Sequence, residues 1–121
     1  MKPFLLFVAV VAADLTTKAV LPTEDQAWHG RSTGWQVSTL LGLAFTAGLW
    51  SFSQTRLAAA FLAAGVAGNL VSSFFGAIAN PFVYDNYYAF NLADVSLVAG
   101  AAALVGAFPV IVYDMRKRAS A

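Results

Sequence analysis

The side chains best able to do chemistry lie in one stretch of the chain, between Gly68 and Asp94, which joins two long apolar segments. Its polar members include three asparagines and two aspartates: Asn69, Asn80, Asp85, Asn91 and Asp94. Polar groups at membrane depth are costly unless they pair or act on a ligand. These five residues are therefore the first candidates for a functional site.

A second polar group, Asp14 and Lys18, interrupts the first apolar segment. Residues at i and i+4 share one face of a helix and lie close enough to pair. The pair is consistent with a structural ion pair that reaches toward the membrane interface, and equally with a functional one. The sequence leaves both interpretations open.

Composition places the chain outside the ordinary soluble class. Of its 121 residues, 60% are hydrophobic and 11% are charged, against roughly a quarter charged in a typical soluble domain. A net charge of +1 does not indicate a nucleic-acid partner. The absence of cysteine excludes disulfides, cysteine metal sites and a lipid anchor on this chain. His29 is the single histidine, so we expect neither a metal site nor a cofactor.

Four apolar runs account for most of the sequence. Each is close to the ~20 residues that cross ~30 Å of hydrocarbon. We therefore predict an all-α membrane protein, one integral membrane domain over 1–121, with a small loop or β element after the first helix. The predicted helices span about 3–20, 36–52, 57–76 and 91–112, followed by a tail over 113–121. A competing interpretation makes Lys2 to Ala13 a cleaved signal peptide, which would leave three spans.

Four crossings predict a topology and a depth for the polar residues. Both termini would share one side with five of the seven basic residues, which are Lys2, Arg56, Arg116, Lys117 and Arg118. By the positive-inside rule that side is the cytoplasm. At 1.5 Å per residue, Asp94 would lie about 5–8 Å below the outer end of its helix. Asn69 and Asp14 would lie at similar levels, so we expect these groups to converge on one pocket near the outer surface.

Several short blocks, taken in order, resemble a known family. They are Phe90-Asn91-Leu92-Ala93-Asp94, Gly68-Asn69, the Asp14–Lys18 spacing and the Gly42–Phe45 G-x-A-F block. Together they resemble bacterial signal peptidase II, the prolipoprotein signal peptidase of the bacterial cytoplasmic membrane. The resemblance implies a four-helix membrane aspartic endopeptidase that cuts before the lipidated cysteine of its substrates.

The resemblance also implies roles for the polar residues. Two carboxylates would share a proton and activate water, because like charges close together cannot both be ionised. Asp94 would be the second member of that pair. Asn69 and Asn91 would support it by hydrogen bonds, and Asp14 with Lys18 would form a structural or substrate-facing pair. The loop at 21–35 would help cover the substrate.

The chain departs from the family pattern at the positions that matter most. The G-N-x-x-D-R block ends in Ser72 and Ser73 here, and an expected asparagine is Leu40. The first catalytic aspartate falls on Asn80, whose amide cannot act as a general base. Asp85 is a candidate replacement, although it would also suit a turn with the residue that follows it.

These departures leave two main hypotheses. In the first, the chain is a fold relative that has lost catalysis. It would bind membrane lipids and a signal peptide, another transmembrane helix or a lipidated partner, as a complex subunit or assembly factor. In the second, it is a divergent active peptidase that uses Asp94 with Asp85. A small four-helix protein of unrelated function is the third alternative.

Overall fold

Four helices dominate the computed structural model of the protein, which describes residues 2–21, 27–29, 32–75, 78–84 and 88–121. The helices are α1 (Lys2–Val20), α2 (Thr33–Trp50), α3 (Arg56–Ser73) and α4 (Leu92–Ala119). Four strands of three residues each are β1 (Ala27–His29), β2 (Ile78–Asn80), β3 (Phe82–Tyr84) and β4 (Tyr88–Phe90). The predicted helical fold with a small β element after the first helix is confirmed at this level.

Helix α3 lies at the centre and packs against each of the other three helices. Of the 18 residues of α3, 56% are buried, against 6% and 17% in the apolar 18-residue stretches of α1 and α4. Its contact surfaces consist of small residues, among them Ala59, Ala60 and Ala64, which are fully buried. Small side chains let neighbouring backbones approach closely, which is how helices associate where lipid supplies no hydrophobic drive.

Hydrogen bonds at the helix ends fix the relative directions of the helices. Gln36, near the start of α2, donates to Ser73 at the end of α3. Gln54, just before α3, donates to Asp114 near the end of α4. Helices α2 and α4 therefore run antiparallel to α3, and contacts between the C-terminal ends of α1 and α3 make those two parallel.

The helix boundaries differ from the predicted ones mainly at the C-terminus. The tail predicted at 113–121 is helical as far as Ala119, since α4 continues for 28 residues without a break at Pro109. Its basic residues therefore occupy the last turn of a helix. Cations are favourable there, because the helix dipole is negative at that end.

Three of the described helices, α1, α3 and α4, are long and apolar enough to cross a membrane. The sequence predicted four crossings, so α2 is the exception. Its first half contains Gln36, Ser38 and Thr39, and these polar side chains lower its mean hydropathy. Length does not separate the helices, since α2 and α3 both have 18 residues.

Two short antiparallel pairings hold the segment before α4. Strand β1 pairs with β2, with Ala27 opposite Asn80. Strand β3 pairs with β4, with Phe82 opposite Phe90. The two rings are stacked, with their centroids 5.6 Å apart. Because β2 pairs with β1, which follows α1, Asn80 is held near the ends of α1 and α3 and the start of α4.

Candidate functional site

Asp14 connects α1 to the first turn of α4 and is fully buried. One carboxylate oxygen, Oδ2, lies 2.6 Å from Lys18 Nζ. The other, Oδ1, accepts a hydrogen bond of 2.9 Å from the backbone N–H of Ala93. The first N–H groups of a helix have no partner inside the helix and carry its positive dipole end. Asp14 therefore neutralises a cation and caps a neighbouring helix at once.

Lys18 extends the network from α1 to α3. Besides Asp14, its ammonium group donates to Asn69 Oδ1 at 3.2 Å and to the carbonyl of Gly68 at 3.4 Å. The side chain is almost fully buried, with 6% of its surface exposed. The predicted i, i+4 pair is confirmed, and it sits within the protein and does not extend to the surface.

Asn69 lies at the junction of the network. Its amide Nδ2 donates to Asp94 Oδ1 at 2.8 Å, while its Oδ1 accepts from both Lys18 and Asn91. Asp94 Oδ2 in turn accepts from the backbone N–H of Asn91 at 3.2 Å, and Asn91 Oδ1 accepts from the N–H of Asp94 at 2.9 Å. This reciprocal pair is a capping box at the start of α4.

Asn80 reaches the same network from β2. Its Oδ1 accepts a hydrogen bond of 2.7 Å from Asn91 Nδ2, which also donates to Asn69 Oδ1 at 3.0 Å and to the carbonyl of Ala79 at 3.3 Å. Asn80 and Asn91 are both buried. The pairing of β2 with β1 thus positions the Asn80 amide next to the capping box of α4.

Six predicted residues therefore form one connected set, which we call the polar centre: Asp14, Lys18, Asn69, Asn80, Asn91 and Asp94. The predicted convergence of Asp14, Asn69 and Asp94 is confirmed, and their position near the outer membrane surface stays a prediction. Their proposed roles stay predictions. Asp85, the candidate replacement carboxylate, lies outside the described residues.

The sequence did not predict the role of Gly68. A Cβ built at this position would lie 2.5 Å from Asp14 Oδ2 and 3.2 Å from Ala93 Cβ. Only a residue without a side chain lets the carboxylate of α1 reach past α3 to the start of α4. The recurrence of Ala60, Ala64 and Gly68 at every fourth position was the available signal, and it indicated helix packing alone.

Ser72 and Ser73, near the end of α3, each bond to a carbonyl of their own helix. Ser72 Oγ donates to the carbonyl of Gly68 at 2.8 Å, and Ser73 Oγ donates to the carbonyl of Leu70 at 2.7 Å. Both are buried. A serine can satisfy its hydroxyl in this way without a charged partner, so neither buried serine leaves its donor unpaired.

The charge distribution limits what the polar centre can do. Asp14 is paired with Lys18, whereas the described partners of Asp94 are the neutral groups of Asn69 and Asn91. Such a centre can bind through hydrogen bonds and one carboxylate. A proton-sharing carboxylate pair would need a second acid facing Asp94, whereas the described network connects Asp94 through Asn91 to the amide of Asn80.

A cavity of about 430 Å³ lies beside the polar centre, between α1, the end of α3 and β2. Its walls are mainly apolar, with Leu15, Ala19, Val71 and Phe75, while Lys18 and Ser72 contribute polar atoms.

No family model matches the chain, and a comparison with curated proteins gives no match.

Proposed function

We propose that the protein is a signal peptidase II-like integral membrane protein of the bacterial cytoplasmic membrane that has lost catalysis. Its polar centre would bind a signal-peptide helix or a lipidated partner without cutting it. The observation that carries this proposal is the 2.7 Å hydrogen bond between Asn91 Nδ2 and Asn80 Oδ1. It puts an amide in the network of Asp94, at the position where the resemblance implies the first catalytic aspartate.

An aspartic peptidase needs two carboxylates that share a proton, one of which accepts a proton from water. Among the described residues, Asp94 is held by the amide of Asn69 and the N–H of Asn91. Asp14 is already paired with Lys18. The Asn80 amide accepts no proton in the working pH range. These contacts support retention of the binding geometry without the acid–base step.

The cavity beside the polar centre supports a role in binding. Its apolar walls suit an acyl chain or an apolar helix, and Lys18 and Ser72 supply polar atoms at one side. Ligand sites commonly combine an apolar lining with a few polar groups that fix orientation. A lipidated signal peptide has both kinds of surface, which is why we choose it as the probe ligand.

The proposal includes four crossings with both termini in the cytoplasm. Helix α2 runs antiparallel beside α3, and its 18 residues span about 27 Å at 1.5 Å per residue. It therefore has nearly the length of the hydrocarbon layer despite its polar first half. The basic residues at the start of α3 and the end of α4 would face the cytoplasm.

The test is a combined binding and cleavage assay in lipid nanodiscs. A synthetic signal peptide with a diacylglyceryl cysteine carries a fluorophore; anisotropy reports binding, and mass spectrometry reports cleavage. We expect saturable binding with no product, and at least tenfold weaker binding of the same peptide without its lipid. Cleavage that disappears in Asp94→Asn would instead establish the active peptidase. Absence of binding would contradict both hypotheses.

A further inference from the structure

The end of the molecule opposite the polar centre carries a concentration of positive charge. Arg116, Lys117 and Arg118 form the last turn of α4, and Arg56 begins α3 at the same end. The 28 residues of α4 span about 42 Å, against ~30 Å of hydrocarbon. With the start of α4 within one leaflet, its basic turn lies at headgroup level on the other side.

A cleft of about 410 Å³ opens at this end, between the end of α2, the turn before α3 and the last turns of α4. Its walls are apolar, with Leu49, Leu104, Ile111 and Met115, and Gln54, Asp114 and Arg118 also line it. The volume lies within the ~300–1,000 Å³ range of small-ligand sites. The cleft thus combines an apolar interior with two charged side chains, one acidic and one basic.

The charges around the cleft favour an anion. Within the part of the chain that the structure describes, none of Arg116, Lys117 and Arg118 forms an ion pair. Asp114 is the carboxylate in the lining, and it accepts a 3.0 Å hydrogen bond from Gln54 Nε2. Arg56 is held nearby, with its Nε donating to the carbonyl of Trp50. Arg118 therefore lines the cleft together with Asp114, and Arg56, Arg116 and Lys117 add three positive charges at the same end of the molecule.

We propose that this cleft binds an anionic phospholipid. An acyl chain lies between the apolar walls, and the phosphate group lies at Arg118. A wholly apolar occupant would use the walls but not the cations, whereas a free anion would use the cations but not the walls. An anionic lipid matches both features, and basic clusters at the end of a membrane helix attract such lipids.

The test uses the full chain in detergent micelles, titrated with phosphatidylglycerol or with phosphatidylcholine of the same acyl chains, with bound lipid counted by native mass spectrometry. We expect phosphatidylglycerol to bind at least fivefold more tightly. Arg118→Gln should weaken it about fivefold, since Arg118 lines the cleft and a basic residue next to a lipid headgroup contributes about 1 kcal/mol. Asp114→Asn should strengthen it, because it removes the negative charge in the lining.

Two matched controls distinguish a specific lipid site in the cleft from a general attraction of anionic lipid to the basic turn. Arg116→Gln removes the same charge from the same turn, but Arg116 is not among the residues that line the cleft, so its effect should be under twofold. Leu104→Trp should fill the cleft and abolish preferential binding with no change in charge. Val105→Trp, on an exposed position of α4, should not. Monodispersity and helix content verify that each variant is folded.

Three results would overturn the proposal. The first is equal binding of the two lipids, and the second is an equal loss in Arg116→Gln and Arg118→Gln. The third is competition by inorganic phosphate at the same concentration as the lipid, which would show that the anion alone is recognised. This test is independent of the proposed function, because the cleft and the polar centre lie at opposite ends of the helices.

Discussion

Asp14 satisfies two buried groups, the ammonium of Lys18 and the N–H of Ala93. We therefore predict that Asp14→Asn destabilises the protein strongly. Removing one member of a buried ion pair leaves an uncompensated charge, which costs about 3–5 kcal/mol. The measurement is the free energy of unfolding in mixed micelles titrated with a denaturing detergent.

The matched control is Asp114→Asn, in which a half-buried carboxylate at the other end loses its charge. We expect it to change stability by less than about 1 kcal/mol, as is usual for exposed charge interactions. The double variant Asp14→Leu with Lys18→Met should recover much of the loss, because both charges are then absent. If Asp14→Asn and Asp114→Asn are equally stable, the network around Asp14 does not support the fold.

Asn80 allows a direct test of the proposed loss of a catalytic acid. In Asn80→Asp a second carboxylate would lie where Asn91 Nδ2 now donates at 2.7 Å, in the network of Asp94. Asn91 bonds to both Asn80 and Asp94, and two carboxylates that face each other cannot both ionise, so a pair at these positions would share a proton as an aspartic dyad does. We predict that Asn80→Asp cleaves the lipidated signal peptide, where the unmodified chain gives no product.

The control for this gain is the double variant Asn80→Asp with Asp94→Asn, which should cleave nothing. Asn80→Leu removes the amide without adding an acid and should also be inactive. Product is measured by mass spectrometry with each variant at equal concentration in nanodiscs. If Asn80→Asp binds the peptide but leaves it intact, a second carboxylate at this position is not sufficient for cleavage.

At the scale of residues, sequence spacing predicted which side chains meet but not how they bond. The levels of Asp14, Asn69 and Asp94 along their helices follow from counting residues, so their convergence could be predicted. The junction at Asn69 depends on the rotation of α3 about its axis. The bond from Ala93 N–H to Asp14 involves a backbone group, for which the sequence holds no signal.

The contact between α3 and α4 depends on glycine more than on interlocking side chains. A Cβ at Gly65 would lie 2.5 Å from the carbonyl oxygen of Ala93, a backbone atom that cannot move independently. A Cβ at Gly100 would meet the backbone nitrogen of Leu62 at 2.8 Å. The two helices can approach this closely only because both positions lack a side chain.

We predict that Gly65→Ala separates α3 from α4 and destabilises the protein by about 1–3 kcal/mol, the usual cost of overpacking. The matched control is Gly106→Ala on α4, where an added Cβ would meet no atom within 4 Å. Alanine there should be neutral or stabilising, because it favours the helix over glycine. Equal unfolding midpoints for the two variants would contradict the close α3–α4 contact.

Element boundaries show where the sequence was least informative. The predicted end of the fourth helix was placed where the apolar run stops, but α4 continues to Ala119. Hydropathy marks the part of a helix that lies in lipid, while the helix itself ends where its backbone hydrogen bonds end. The pairing of β1 with β2, which positions Asn80, joins residues about fifty positions apart, and no local pattern predicted it.

The whole molecule separates its two polar regions along the helix axes. The polar centre lies where α1 and α3 end and α4 begins, and the basic residues lie where α3 begins and α4 ends. A bilayer can separate two such regions because each then lies toward a different surface. In the proposed topology α2 crosses with the other helices, although it is not among the three described helices that are long and apolar enough to span a membrane.

The crossing of α2 can be tested with single cysteines, since the natural chain has none. Ser32 precedes α2, Ser53 follows it and Ser120 follows α4, and all three are exposed. In intact cells treated with a membrane-impermeant maleimide, we predict labelling of Ser32→Cys only, whereas Ser53→Cys and Ser120→Cys should label only after permeabilisation. If α2 lies on one surface, its two ends share a side, so Ser32→Cys and Ser53→Cys will label under the same condition.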